Sequence, residues 1–403
     1  MNEAILTLII LTFCTISVIV YIFKFKPLNN TKVKDLYAEG LDLMITGRRR
    51  SAYKNFKEII NKDSENIKAY LRLGQVLREG GSPIQAIKVH RGLIHRQNLS
   101  YYEKIEVHKN LALDYYQAGN LDHAINELQT LLKIEKNNDW ALSQLSNYYC
   151  DQQDWKNSGY YFEKYQKITN KQDTHKLALY KIQEGRLLIQ EKQFTEARKK
   201  FENAININSN IAVAYYFIGN SFSSESEEAY QKSVDINETE EKNVHMNRAK
   251  SLLGKAIPMW IRYAELKPEQ AWMVIHLLKD GLFALDRYSE FEDILKQILK
   301  NDPDNIEVIA SLSEIYSHRG EENEALDVID SALEQDSSSL IVKLIKLKLE
   351  AKSEKGGVAF LRSLDDIIHF LVTDERFQVY KNTATDKDVL WLYKTSGEKE
   401  AKV

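Results

Sequence analysis

Apolar residues recur at intervals of three and four along most of the chain after residue 31, and the stretches that separate these runs are mostly short and polar. That period lines one face of an α-helix, so the pattern predicts a helical body with strands hard to find. A longer echo is laid over it. Gly40, Ala52 and Phe56 return as Gly74, Ala86 and His90 after 34 residues, each set with a glycine near the intervening turn. With the glycine or its substitute as anchor, the first helices carry Gly40, Gly74, Ala112, Ser146, Gly185 and Gly219, spaced by 34, 38, 34, 39 and 34 residues. The second helices answer with Ala52, Ala86, Ala124, Ser158 and Ala197, each twelve residues after its anchor, and Gly47, Gly81 and Gly119 fall between. Small residues at both places let the two helices approach closely, and large residues fill the remaining space.

A helix pair of this length and spacing is the signature of a tetratricopeptide repeat, and the fold expected is all-α, a tetratricopeptide-repeat superhelical solenoid. Beyond Glu225 the units lose regularity, with Gly219 followed by a shorter turn to Ala229, and the acidic stretch from Glu225 to Glu241 reads as a solvated turn region. Ala256, Trp260, Tyr263 and Pro268 still read as a second helix with its terminating proline, and Phe291, Leu295, Ile298 and Pro303 repeat that reading. Ser313, Tyr316, Gly320 and Ala325 give one clear late unit, so about eight helix pairs are expected between Lys32 and roughly Leu349. The chain divides on this reading into residues 1–31, 32–349 and 350–403: an anchor with its linker, the array, and a C-terminal segment.

Ala4 to Phe23 contain no charged residue, and at about 1.5 Å per residue they would cross the roughly 30 Å hydrocarbon core of a bilayer. One N-terminal transmembrane helix is expected there, rather than a cleaved signal peptide, since the chain opens Met1, Asn2, Glu3 without a basic start. Lys24, Lys26, Lys32 and Lys34 follow the span and no basic residue precedes it, which puts the bulk of the chain in the cytoplasm. The two cysteines, Cys14 and Cys150, suggest no disulfide framework. The 55 basic and 58 acidic residues are well mixed, so no broad cationic surface argues for nucleic acid as a partner.

Catalytic chemistry has no visible home: there is no P-loop, no Gly-x-Gly-x-x-Gly after a strand, and no His-Glu-x-x-His. The expectation is a protein that is no enzyme, with no cofactor and no metal. His90 and His95 lie five residues apart, poor spacing for shared ligation on a helix, and His90 more simply fills the place held by Phe56 one repeat earlier. If the first helices line a concave groove, the residue after each anchor and the one three further on point into it. These are Gln75, Arg78, Leu113, Tyr116, Asn147, Cys150, Arg186 and Ile189, of which Gln75, Arg78, Tyr116, Asn147 and Arg186 are the candidate partner-binding residues. The alternative is that some of them pack against an adjacent helix or the chain's own tail. Arg48, Arg49 and Arg50 form the sharpest basic cluster, read either as a solvated turn or as a membrane-proximal patch that attracts anionic headgroups or phosphates.

The order of parts resembles the lipopolysaccharide assembly protein B family of Gram-negative inner membranes. The resemblance is carried by Tyr37-Ala-Glu-Gly-Leu-Asp-Leu-Met behind the span, by Ala69-Tyr-Leu-Arg-Leu-Gly-Gln-Val-Leu-Arg-Glu-Gly-Gly, and by Gln85-Ala-Ile-Lys-Val-His-Arg-Gly-Leu. Leu99-Ser-Tyr-Tyr-Glu-Lys and Leu113-Asp-Tyr-Tyr-Gln-Ala-Gly-Asn-Leu-Asp-His-Ala extend it, and beyond about Ile207 the likeness is architectural. Family members end in a rubredoxin-like zinc module with two Cys-x-x-Cys pairs. Here Arg376-Phe377 and Val389-Leu-Trp-Leu-Tyr393 stand at the corresponding places, but the ligand positions fall near Val379, Asn382, Lys394 and Gly397, none of which suits a thiolate zinc site. A small hairpin is expected to survive, with Phe377 and Val379 alternating on one strand and Val389, Trp391 and Tyr393 on the other, and so little apolar surface should dock on the helical array or stay disordered; a vestigial flexible tail is the alternative. The resemblance implies an inner-membrane scaffold or adaptor, the bulk of the chain cytoplasmic, that coordinates lipopolysaccharide biosynthesis by presenting the lipid A deacetylase to a membrane protease. A general membrane-anchored scaffold for envelope or secretion complexes is the other reading.

Overall fold

The computed structural model of the chain describes residues 30–335, 340–353 and 386–396, together with 15–16, 361–362, 364–365 and 367–368. Among them there is no strand. Among the described residues eight helix pairs follow one another, the number expected between Lys32 and Leu349, and two further helices come after them. The chain falls into two units, residues 1–148 and 149–403, each described by itself.

In the first unit the pairs are α1 (Asn30–Ile45) with α2 (Arg49–Lys62), α3 (Ile67–Glu79) with α4 (Pro83–Ile94), and α5 (Tyr101–Gln117) with α6 (Leu121–Ile134). The anchoring geometry is visible atom by atom. A Cβ placed on Gly40 would lie 2.8 Å from the Phe56 ring, and one on Gly74 would collide with the His90 imidazole. Ala52, Ala86 and Ala124 are all fully buried at the second small position. The close approach therefore requires both small residues, and the side chain that fills the space is the one four positions after the second of them.

Helix α7 (Asp139–Asp151) carries the division between the units, and the second unit continues with α8 (Trp155–Thr169), α9 (Thr174–Gln190) and α10 (Phe194–Ile207). The next pair is α11 (Ala212–Val234) and α12 (Thr239–Leu266), followed by α13 (Trp272–Ala284), α14 (Tyr288–Asn301), α15 (Ile306–Arg319), α16 (Glu322–Gln335) and α17 (Leu340–Ser353). Gly185 sits against Phe201 and Gly219 against Trp260 in the manner of the first repeats.

Most of the turns within pairs share one conformation. At Gly47, Gly81, Gly119 and Gly320 the backbone is left-handed, with φ between 72° and 81°. The amide after each of these glycines donates to a carbonyl five residues back, as Arg48 does to Leu43 and Ser82 to Leu77, which satisfies the orphan carbonyls of the helix end. Gln153, Lys192 and Asp286 adopt the same left-handed conformation without being glycine, with φ of 61°, 59° and 58°. Several helix starts carry a polar cap: the side chains of Asn66, Asn120, Asp154 and Asn305 each accept from the amide three residues on.

Two expectations need correction here. Residues 225–234 are not a turn region: α11 runs on to Val234, and the turn between it and α12 occupies only 235–238. Ala229 accordingly lies on the same helix as Gly219, buried with Ala249 and Leu252 in a small apolar cluster of its own. The physical reason is that the seventh position after Gly219 is Ser226, which stays helical and donates to the Ala249 carbonyl at 2.7 Å. The pair is thus an elongated hairpin, stiffened by Glu225, which accepts from Arg198 at 2.8 Å and from Arg248 at 2.9 Å. Burial pushes the Glu225 carboxyl up, but the two guanidinium groups outweigh it and hold it below the usual carboxylate range.

No helix among the described residues is long and apolar enough to cross a membrane. The span expected at 4–23 lies outside them, apart from Thr15 and Ile16. Likewise Arg376, Phe377, Val379, Asn382 and Gly397 lie outside the described residues.

The interlock sets a contrast between glycines. Gly185→Ala should cost about 1–3 kcal/mol because the new methyl meets the buried Phe201 ring. Gly92→Ala, where nothing lies within 4 Å, should stabilise by about 0.5–1 kcal/mol. Urea denaturation of the two variants beside the parent chain measures both.

Candidate functional site

The candidate residues divide by fate. Gln75 on α3 is half-buried and tied into a surface chain, accepting from Arg72 at 2.6 Å and donating to Glu79 at 2.8 Å. Arg78, one turn on, is buried. Its guanidinium donates to Asp114 Oδ1 at 2.7 Å and to Asn110 Oδ1 at 3.2 Å, both on α5 of the next repeat. The other carboxylate oxygen of Asp114 lies 2.5 Å from His90 Nδ1, and His90 Nε2 is 3.1 Å from the Leu71 carbonyl. Asp114 and His90 are fully buried, so one carboxylate ties α3, α4 and α5 together out of contact with water. His90 does take the place of Phe56, as the spacing implies, but it also carries a bond that a phenyl ring could not make.

Tyr116 on α5 is exposed and its ring stacks on Tyr148 at 4.3 Å between centroids, while Asn147 beside it is exposed. Leu113 and Ile189 are half-buried. Cys150 lies 3.0 Å from the Ser158 hydroxyl. Arg48, Arg49 and Arg50 are all exposed around the start of α2.

Arg186 leads to the most developed site, one built by a segment that the sequence assigned to a strand. Residues 387–396 form a helix, α18 (Lys387–Ser396), which corrects the hairpin expected of Val389, Trp391 and Tyr393. The run Val-Leu-Trp-Leu-Tyr is apolar throughout, so its own period cannot separate helix from strand, and docking decides. Val389 and Leu392, one helical turn apart, enter the core of the second unit. Trp391 packs its indole 6.1 Å from the Trp155 ring and 6.0 Å from Tyr180.

The polar contacts converge on the last turn of α18. Gln183 Nε2 donates to the Leu392 carbonyl and to Thr395 Oγ1, each at 2.7 Å, and Arg186 Nη1 donates to the same carbonyl at 2.8 Å. Arg186 also donates to Gln183 Oε1 at 2.8 Å, which fixes both side chains. The guanidinium lies 4.4 Å from the centre of the Tyr393 ring and 5.2 Å from that of Phe217 on α11. Burial, and next the nearby Tyr393, push the Tyr216 phenol up to about 12. At the rim His175 Nε2 lies 2.7 Å from Asp388 Oδ1, while in the interior buried Asp386 accepts from the Tyr263 hydroxyl at 3.4 Å. Gln183, which shares the face of Arg186 one turn earlier, was missed in the sequence; the signal was its spacing of three from a candidate residue.

A zinc module does not fit this tail. Lys394 is exposed on α18, and the chain's two cysteines are Cys14 and Cys150, so no thiolate is available there. Among the described residues no group of three histidine, cysteine or acidic side chains is placed to hold a metal ion.

Helix pairs interlocked through a small anchor and closed by a left-handed turn define a tetratricopeptide-repeat protein, a class that works by holding other polypeptides. Within that class the chain is similar to lipopolysaccharide assembly protein B. It is 26% identical to the Escherichia coli K12 protein over 119 residues, 30% of this chain and 31% of that one. It is 24% identical to the Haemophilus influenzae protein over 215 residues, 51% of this chain and 54% of that one, so the match spans about a third to a half of these relatives. No protein-family profile matches. A tetratricopeptide repeat protein of Parabacteroides merdae overlaps 79% of this chain and 98% of its own at 14% identity, with a TM-score of 0.31.

The buried carboxylate separates structure from surface. Asp114→Ala should cost about 3–5 kcal/mol, since it strands two buried cationic or proton-bearing partners. Tyr116→Ala, at an exposed stack, should cost about 1 kcal/mol. Thermal unfolding followed by circular dichroism distinguishes them.

Proposed function

We propose that the chain is a membrane-tethered tetratricopeptide scaffold that coordinates proteins of lipopolysaccharide assembly, with the bulk of it on the cytoplasmic side of a bacterial inner membrane. The observation that carries the reading is the similarity of its repeats to lipopolysaccharide assembly protein B. The uncharged run from Ala4 to Phe23, followed by four lysines, supports the tether and its direction. Binding, not catalysis, is the mechanism: the tether raises the effective concentration of membrane-bound partners and the first helices select among them.

Within that reading, the finer role is presentation of the lipid A deacetylase to a membrane protease. Deleting the gene should then lengthen the lifetime of the deacetylase several-fold in a translation-block immunoblot, and an unchanged lifetime removes this role. The tail offers no thiolates for a zinc module, so presentation is assigned to the repeats rather than to a zinc-bearing tail. Arg48, Arg49 and Arg50 are the residues proposed to meet anionic headgroups, at about 1 kcal/mol per charge near a surface. Arg48→Glu combined with Arg50→Glu should therefore weaken binding to phosphatidylglycerol vesicles by roughly tenfold or more, measured by co-sedimentation at low salt.

A further inference from the structure

Helix α18 is held by contacts that read the end of a helix as much as its sequence. Two buried side chains, Gln183 and Arg186, spend their donors on one main-chain carbonyl and one hydroxyl of its final turn. A cation at the C-terminal end of a helix meets the negative pole of its dipole. Arg186 and Gln183 are also bonded to each other, so the reading pair is fixed by its own geometry on α9. Around it, Trp155 and Tyr180 supply aromatic walls for Trp391, and the Arg186 guanidinium lies over the rings of both Tyr393 and Phe217. A tail that served only to cover the array would be held as well or better by apolar packing, since burying an arginine carries a desolvation cost that needs a specific partner to offset it.

The tail itself is a poor independent structure. Ten residues are too few for a stable isolated helix, so α18 forms by docking. It is also tethered, and a tethered ligand is displaced by a free one only when the free one outcompetes an effective concentration on the order of millimolar. Arg186 stands at the position directly after an anchor glycine, where a first helix presents its side chains to a partner.

We propose that α18 is the resident ligand of a helix-reading groove on α8 and α9, and that the groove exchanges it for a partner protein's short amphipathic helix. The exchanging helix would match the chemistry of the resident one: an aromatic-leucine-aromatic step, as in Trp391-Leu392-Tyr393, followed two residues later by a hydroxyl side chain, as in Thr395. The groove is then closed at rest and opened by competition. This inference stands apart from the link to lipopolysaccharide, since it needs only the groove.

The test uses the full chain with a specific protease site inserted between Thr383 and Ala384, and a fluorescent peptide with the sequence of residues 386–396 as probe. Cutting frees α18 from its tether, so the cut chain should bind the peptide at least tenfold more tightly than the uncut chain, by fluorescence anisotropy. Cut chain carrying Gln183→Ala and Arg186→Ala should lose at least tenfold of that affinity while keeping the parent's helical circular dichroism. Equal binding to cut and uncut chains overturns the proposal, as does binding that the double substitution leaves unchanged. Loss of helical signal on cutting and removing the tail would overturn it too, since α18 would then be a structural strut. None of these outcomes depends on deacetylase lifetime, so the two readings fail separately.

Discussion

The array depends on a steric exchange made in four of its helix pairs: one helix gives up its side chain at the crossing so that the other can insert a large one. Gly40 yields to Phe56, Gly74 to His90, Gly185 to Phe201 and Gly219 to Trp260. A glycine in a helix is unfavourable on propensity alone, and what offsets it is burial of an aromatic ring that no other arrangement would accommodate. Interiors are close-packed, so a methyl group at the crossing would have to move a ring or a helix. The exchange fixes where the second helix lies, and with it where the next first helix begins.

The elongated hairpin shows how much variation that rule tolerates. Between Gly219 and Trp260 the chain is 25 residues longer than between Gly185 and Phe201, yet the same interlock is made, with Ala256 four residues before Trp260 as Ala197 is before Phe201. The added length is taken up by longer helices, whose outer part is held by the cluster of Ala229, Ala249 and Leu252 and by the bonds of Glu225 to two arginines. Local reinforcement was needed because those turns lie beyond the shared core.

The sequence was informative where structure follows from steric necessity between neighbours, and less so where it follows from distant contact. Anchors, small partners and the glycine turns could be read because each demands a residue type at a fixed offset. Gln153, Lys192 and Asp286 take the same left-handed turn without the glycine that would have advertised it. The run through Ser226 hid the hairpin, since the absence of a turn signal is hard to weigh. The C-terminal helix was unreadable in principle from its own five apolar residues, because the groove that makes it a helix lies some 200 residues earlier in the chain. The offset of Arg186 marks it as a groove residue that meets either a partner or the chain's own tail, and the structure resolves the choice to the last turn of α18.

His90 carries a consequence for how such a chain can change over generations. Repeat arrays grow and shrink by gaining or losing whole units, which works when each unit meets its neighbours through interchangeable apolar faces. Here the imidazole of the second repeat shares a buried carboxylate with Arg78, and that carboxylate, Asp114, is supplied by the third repeat. Excising or inserting a repeat at this junction would leave a buried polar group without its partner, so the second and third repeats are constrained to stay together.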